Sequence, residues 1–306
     1  MTLAPTNRSV TLASIPAAMG DIKLAHSVFA LPFAVLASFL AREPGSSWGR
    51  FAAQLAVVVV CMVLARTWAM LVNRWADREI DADNPRTAGR AIPSGRVSPG
   101  SAAALGAASA GGFLACCGMF WIAFGNPWPI ALAVPTLAWI AFYSFTKRFT
   151  ALCHVFLGGA LAASPLAAAI AVRPEALADT PALWWLSGMV LCWVAGFDMI
   201  YALQDMDFDR SRGLHSAPAR LGWRGASWLA RGLHVLAFTS LVAGGLVEPR
   251  FGLVYWLAVA PVGGLLIAEH VVLARRGREG LQMAFFTLNG VVSCLLGLGG
   301  VLSLVL

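Results

Sequence analysis

Two groups of oxygen-bearing side chains recur in the chain with the same spacing. Asn73, Asp77 and Asp81 follow one another at intervals of four, and Asp205 and Asp209 do the same. On an α-helix, residues i, i+4 and i+8 drift slowly around one face, so each group forms a stripe of oxygens. Carboxylates at that density repel one another unless a cation lies between them. Oxygen donors suit a hard dication, and Mg2+ prefers a few carboxylates completed by water and phosphate oxygens to an all-protein cage. The chemistry expected of Asn73, Asp77, Asp81, Asp205 and Asp209 is therefore capture of a phosphorylated substrate through Mg2+.

Each stripe runs on into a polar segment rich in Gly, Pro, Arg and hydroxyl residues. The first reads Asn84-Pro-Arg86-Thr-Ala-Gly-Arg90-Ala-Ile-Pro-Ser-Gly-Arg96, and the second Arg210-Ser-Arg-Gly-Leu-His215-Ser-Ala-Pro-Ala-Arg220. They read as two versions of one device. Behind the stripes, Arg66 lies seven residues before Asn73 and Asp198 seven before Asp205, two turns up the same faces. A charge at bilayer depth costs about 3 kcal/mol or more. Arg66 and Asp198 must therefore either pair with each other or face a water-accessible cavity roofed by the stripes; the second reading is the one expected.

The elements that position these groups are membrane helices. Of 306 residues, 59% are hydrophobic and 12% charged, and the mean hydropathy is +0.74, far more apolar surface than a soluble domain needs. Apolar stretches fit for spanning cover roughly 24–41, 51–72, 101–125, 127–143, 150–172, 181–204, 226–247, 251–274 and 282–306. The prediction is an all-α polytopic membrane protein in which nine transmembrane helices surround a central cavity. It forms one domain, 1–306, led by a polar and flexible segment over 1–20. That leader ends in Asp21 and Lys23 with no small-residue cleavage pattern after the first span, so the first span reads as a retained start-transfer helix. Four helices separate Asp77 from Asp205, which predicts two pseudo-equivalent four-helix halves plus one helix that completes the ring.

Sixteen of the 22 Lys and Arg, from Arg8 to Arg278, fall in the leader and in the loops after spans 2, 4, 6 and 8. Only Arg42, Arg50, Arg173 and Arg250 fall on the other side, while Arg66 and Arg231 lie within spans. The basic side, which carries both motif loops, is expected to be cytoplasmic. The net charge of +7 follows from this topology, and no nucleic-acid partner is needed to explain it. All six Cys lie in apolar stretches without Cys-x-x-Cys spacing and read as packing residues. Gly and Ala clusters at 102–112, 158–169 and 290–300 read as close helix contacts. Arg231, Glu269 and His270 sit near span ends, where snorkelling or interfacial solvation accounts for them.

With these motifs the chain resembles the UbiA superfamily of intramembrane aromatic prenyltransferases. The resemblance rests on Asn73-x-x-x-Asp77-x-x-x-Asp81, on Asp205-x-x-x-Asp209 after Asp198, and on Tyr143-x-x-x-Lys147 with Arg148 after the fourth span. It extends to the Arg86–Gly95 and Gly213–Gly222 segments; Ser144 departs from it, standing where the family frequently has Pro. The resemblance implies two Mg2+ ions bridging an isoprenyl diphosphate to the five stripe residues. Lys147, Arg148, Arg86, Arg90 and Tyr201 would bind substrate, and Asp198, Lys147, Tyr143 and Arg66 would serve catalysis. The leaving pyrophosphate is stabilised and an allylic cation forms in an apolar cavity open to membrane lipid; Trp68, Phe142, Phe197 and Tyr201 are candidates to line it. The implied acceptor is a hydroxylated aromatic acid, 4-hydroxybenzoate first, used in quinone biosynthesis at a bacterial inner membrane. Asp198 is expected to orient the acceptor hydroxyl or to receive a proton, and Arg66, Arg86 or Arg90 to hold its carboxylate.

The stretch from Asp21 through His26 to Pro32, together with Leu214-His215-Ser216, also resembles members that prenylate a dihydroxynaphthoate in futalosine-type menaquinone synthesis, which leaves two acceptors open. His26 and His215 read as hydrogen-bonded structural residues. A transporter would place its charges near the midplane on broken helices, whereas these acids crowd one face. A CDP-alcohol phosphotransferase would pack its acids into one contiguous segment. Cyclisation or hydrolysis of the isoprenoid is compatible with the metal motifs alone.

Overall fold

Apolar sequence between polar turns gives helices wherever caps allow. A computed structural model describes residues 29–306, and its regular elements are all helical. They are α1 (Leu31–Ala41), α2 (Trp48–Ala76), α3 (Arg78–Asp83), α4 (Pro99–Phe124), α5 (Trp128–Thr146), α6 (Cys153–Val172), α7 (Ala176–Asp179), α8 (Ala182–Ala202), α9 (Met206–Ser211), α10 (Ala217–Val247), α11 (Leu253–Arg276) and α12 (Asn289–Val305). A 3-10 turn (Leu203–Asp205) joins α8 to α9, and a 3-10 turn (Gly277–Gly280) and a π-helical turn (Met283–Leu288) lead into α12. Ser47, Ser98 and Ser216 cap α2, α4 and α10 by accepting from backbone N–H groups three residues on. The glycine-only backbone of Gly222, φ +67° and ψ 177°, separates the first turn of α10 from its long part, so the span proper starts near the 226 expected from sequence.

Among the described residues eight helices are long and apolar enough to cross a membrane, and α1 is a shorter apolar helix. The expected first span is represented by α1 alone. Its part before residue 29 and the leader, with Asp21, Lys23 and His26, lie outside the described residues. Large apolar side chains such as Ile122, Val134, Trp228 and Leu246 point outward, as a lipid-facing belt requires.

Neighbouring helices pack in a closed order. α2 packs on α4 and α5, α5 on α6, α6 on α8, α8 on α10, α10 on α11 and α11 on α12, and α12 reaches α1, which also lies along α6. Small residues permit the closest approaches. A Cβ on Gly158 would stand 2.4 Å from the Leu191 carbonyl oxygen on α8, and one on Gly196 would stand 2.4 Å from the His234 ring on α10. The core where α1, α6, α8, α11 and α12 meet is filled by Phe33, Leu36, Met189, Trp193 and Phe197. A cavity of about 350 Å3 remains between α2, α4, α5 and α6, displaced toward the first half of the chain.

The helix ends sort by charge as the Lys/Arg tally predicts. At one end the loops after α2, α5, α8 and α11 meet: Lys147 bonds Asp77, the Lys147 carbonyl accepts from the His215 N–H at 2.7 Å, and Arg278 bonds Asp207 at 2.6 Å. At the other end Arg173 and Arg250 donate to the Ala41 and Leu40 carbonyls, closing the last turn of α1. One expectation needs correction. Glu269 is not interfacial but 1% exposed, accepting from Asn289 Nδ2 at 3.1 Å, while Asn289 Oδ1 accepts from Trp193 Nε1 at 2.6 Å. The reason is depth: α11 continues to Arg276, so Glu269 lies two turns inside its end and needs a protein partner in place of water. His270 pairs its Nε2 with His234 Nδ1 at 3.0 Å, and Arg231 lies over the Trp228 ring.

Candidate active site

Asp77 and Asp205 occupy equivalent backbone positions. α2 ends at Ala76 and α8 at Ala202 with one 3-10 turn after it; Asp77 then adopts φ −91°, ψ 3° and Asp205 φ −100°, ψ 4°. This sparsely allowed region recurs at active sites. A six-residue helix follows each break, α3 carrying Asp81 and α9 carrying Asp209. The stripes therefore bend at Asp77 and at Asp205 instead of lying on continuous helices, and they bend alike. The two loops share one local geometry, as their sequences predict.

Three of the four acids, Asp77, Asp81 and Asp205, are each met by a cation. Asp77 is 3% exposed and Asp81 4%, so both need compensation. Asp77 accepts from Lys147 Nζ at 2.7 Å on Oδ2 and from Arg148 Nη2 at 2.9 Å on Oδ1, and Asn73 Nδ2 lies 3.3 Å from its Oδ2. Arg90 Nη1 donates to both oxygens of Asp81, at 2.8 and 2.7 Å. Arg86 crosses from the first loop to the second. Its Nε donates to Asp205 Oδ1 at 2.8 Å, its Nη2 bonds Oδ2, and its Nη1 donates to the Tyr201 hydroxyl at 3.4 Å. Burial disfavours the Arg86 charge and the Asp205 carboxylate more than offsets this, so its pKa stands above the ordinary guanidinium value. Asn84 Nδ2 adds a bond to Asp205 Oδ1 at 3.0 Å. Asp209 lies in the field of Asp205, Lys147 and His154. Sequence-distant groups thus share one deck at the basic end of the bundle.

The deck can hold a dication only together with a ligand that brings its own oxygens. Among the described residues no three His, Cys, Asp or Glu side chains form a ready-made cage. The oxygens available at this end are those of Asn73, Asp77, Asp81, Asp205 and Asp209, the donor class Mg2+ takes when phosphate completes its shell. They fit such an ion, and the four cations beside them fit the phosphate.

Below the deck, Arg66 and Tyr143 line the cavity, whose remaining wall is nearly all apolar, with Cys61, Phe113, Phe120 and Leu157. Arg66 has no ion pair among the described residues, and its Nε is buried without a partner. Arg66 and Asp198 do not pair with each other. Asp198 Oδ2 lies 2.6 Å from Nδ1 of His154, a residue that sequence reasoning passed over although an ionisable side chain opening an apolar span is a signal. Asn84 and Arg74, whose Nη1 holds Asn73 Oδ1 at 2.9 Å, were missed too, and no spacing in the sequence marks them. Of the aromatic groups expected around the cavity, Phe142 faces outward beside Trp139, Phe149 and Phe156, Phe197 packs in the core, Trp68 bonds the Leu137 carbonyl, and Tyr201 stacks on Phe285. His215 bonds Arg220 at 2.6 Å and serves the loop.

The UbiA prenyltransferase family model matches residues 30–291. A 4-hydroxybenzoate octaprenyltransferase from Aeromonas hydrophila subsp. hydrophila is 31% identical over 250 residues, covering 81% of this chain and 83% of the relative. The one from Shewanella frigidimarina is 30% identical over 237 residues, 77% and 79% of the two chains. The apo structure of a UbiA homolog from Aeropyrum pernix K1 superposes with a TM-score of 0.80 at 32% identity, covering 90% of this chain and 97% of that one. A UbiA homolog from Archaeoglobus fulgidus bound to DMAPP and Mg2+ shares the fold, with a TM-score of 0.65 at 15% identity over 95% and 99% of the chains. Matched over most of its length in sequence and fold, the chain belongs to the UbiA prenyltransferase family and is a polytopic membrane prenyltransferase.

Proposed function

We propose that the chain transfers a polyprenyl group from an isoprenyl diphosphate to a hydroxylated aromatic acid, 4-hydroxybenzoate first, in quinone synthesis. The observation that carries this is the placement of Arg66: a half-buried guanidinium, its Nε buried without a partner and no anion paired with it among the described residues, on the wall of an apolar cavity under a deck whose other cations already meet acids. A partly desolvated charge without a counter-ion is costly and suits an anionic ligand. The carboxylate of an aromatic acid supplies one, and the relatives named 4-hydroxybenzoate octaprenyltransferase point to the same acceptor class.

In this reading Asn73, Asp77, Asp81, Asp205 and Asp209 hold the diphosphate through Mg2+, which stabilises the charge that develops on the leaving pyrophosphate. Lys147, Arg148, Arg86 and Arg90 hold phosphate oxygens directly, and Tyr201 steadies Arg86. The C–O bond to the prenyl carbon breaks and the electron pair leaves with pyrophosphate. The ring carbon beside the phenol then bonds the allylic cation in the cavity, whose apolar wall excludes water and so favours transfer over hydrolysis. The ring proton departs to Asp198, directly or through water, while Tyr143 and Arg66 fix the acceptor. The prenyl chain runs along the apolar wall toward lipid. The whole chain acts as one domain, with its motif loops on the cytoplasmic side of a bacterial inner membrane.

The test offers purified enzyme an isoprenyl diphosphate with Mg2+ and, in parallel, 4-hydroxybenzoate, a dihydroxynaphthoate and carboxylate-free 4-hydroxybenzyl alcohol. The expected result is a prenylated aromatic acid, little turnover of the alcohol, and a raised acceptor KM in Arg66→Met. Preference for the naphthoate would move the acceptor within the acid class. Equal use of the alcohol by wild type would refute the carboxylate reading.

A further inference from the structure

A buried His154 and a half-buried Asp198 form a dyad that neither acidic stripe contains. His154 is the second residue of α6 and is 3% exposed, whereas Asp198 on α8 keeps 24% of its side chain accessible. The 2.6 Å contact between Nδ1 and Oδ2 leaves the direction of donation open by itself. The other ring nitrogen decides it. His154 Nε2 lies 3.3 Å from the backbone nitrogen of Ala217, which is the first residue of α10 and can only donate. Nε2 is therefore the acceptor, Nδ1 carries the ring proton, and that proton points at Asp198.

The contact to Ala217 also has a structural reason. The N–H groups of a helix's first turn lack intrahelical partners. In α10, Ser216 Oγ takes the Ala219 N–H, Pro218 has none, and His154 takes the Ala217 N–H. The imidazole is thus held between a helix start and a carboxylate and cannot turn without breaking one of the two. It fixes Oδ2 of Asp198, and Oδ1 has no partner among the described residues. Along α8, Asp198 lies about 10 Å below Asp205.

We infer that His154 is a positioning residue for the acceptor half of the reaction: it clamps Asp198 so that the free Oδ1 faces the aromatic acceptor. This rests on the reading of Asp198 in the proposed function. The clamp ties Asp198 to the loop that follows Asp209, because Ser216 and Ala217 end that loop. A charge-assisted hydrogen bond of this kind predicts a loss of about 10- to 100-fold in kcat/KM for the acceptor when it is removed. The KM for the diphosphate stays within about twofold, since none of the stripe acids or their cations bonds the ring.

The experiment is a double-mutant cycle in purified enzyme with isoprenyl diphosphate, Mg2+ and 4-hydroxybenzoate. His154→Leu fills the ring's volume without its hydrogen bonds, and His154→Asn, of the same shape as Leu, restores a donor near the Nδ1 position. Each must elute as wild type does in size exclusion; His154→Met replaces a leucine variant that does not. The expected results are three: the leucine enzyme loses acceptor kcat/KM, the asparagine enzyme regains most of it, and the leucine penalty vanishes in an Asp198→Asn background. If Asp198→Asn alone leaves acceptor turnover unchanged, the reading of Asp198 falls. If Asp198→Asn is impaired but His154→Leu is not, or its penalty persists unchanged in the double mutant, the positioning role of His154 falls while Asp198 stands. A diphosphate KM that rises with the acceptor defect would also overturn it, by placing the ring in the phosphate site.

Discussion

Replacing Arg86 by Met removes one guanidinium fork from the site and keeps the side chain's length and apolar stem. That fork is engaged with Asp205 through Nε and Nη2, with a side-chain exposure of 33%. Solvent screens a pair exposed to that degree, and its loss costs about 0.5–1 kcal/mol. A diphosphate that takes over the fork forms charge-assisted bonds worth about 1.5–3 kcal/mol. The difference, about 1–2 kcal/mol, corresponds to a roughly 5- to 30-fold rise in the KM for isoprenyl diphosphate. Initial rates in lipid nanodiscs measure it, varying the diphosphate at saturating acceptor and then the acceptor at saturating diphosphate. Arg86→Lys keeps the charge without the planar fork and should recover only part of the loss. If the acceptor KM rises instead and the diphosphate KM stays at the wild-type value, Arg86 holds the acceptor's carboxylate and the assignment of the deck cations to phosphate is wrong.

Helix approach and topology give two further tests. Gly158→Val pushes a side chain against the Leu191 carbonyl, where even a Cβ would lie at 2.4 Å, and should destabilise the α6–α8 contact by about 1–3 kcal/mol, read as a lower unfolding midpoint in detergent; Gly118→Ala, with open space at its Cβ, should leave the midpoint at or above wild type. For topology, Ser94→Cys and Glu43→Cys occupy opposite ends of the bundle. In right-side-out vesicles an impermeant maleimide should label Glu43→Cys at once and Ser94→Cys only after permeabilisation; the reverse order would invert the orientation.

Much of the candidate site's geometry was legible because it is written in local spacing. Intervals of four picked out Asp77, Asp81, Asp205 and Asp209, and the Lys/Arg distribution told apart the two ends, one of which is the end where hydrogen bonds join the loops after α2, α5 and α8. The bend at Asp77 and Asp205 was not legible, since i, i+4 spacing is the same whether a helix continues or restarts. His154 was missed because its meaning depends on α6 lying against α8 and on the start of α10, contacts separated by 44 and 63 residues. Glu269 was misjudged because hydropathy marks where a span thins out and not how far the helix continues beyond it. Phe142 failed as a cavity residue for a related reason: one aromatic suits both a cavity and lipid, and only the rotation of α5 decides between them.

The central claim is that the two acidic loops act as one diphosphate site. Its most direct measurement is pyrophosphate release and acceptor prenylation by wild type, Asp77→Ala and Asp205→Ala, each with Mg2+, with EDTA, and after Mg2+ is restored to the EDTA-treated enzyme. The expected result is coupled release and prenylation in wild type, lost with EDTA, regained with Mg2+, and abolished to a similar degree by either substitution although the two residues lie in different halves of the chain. Full pyrophosphate release in either variant, or activity indifferent to EDTA, would contradict it.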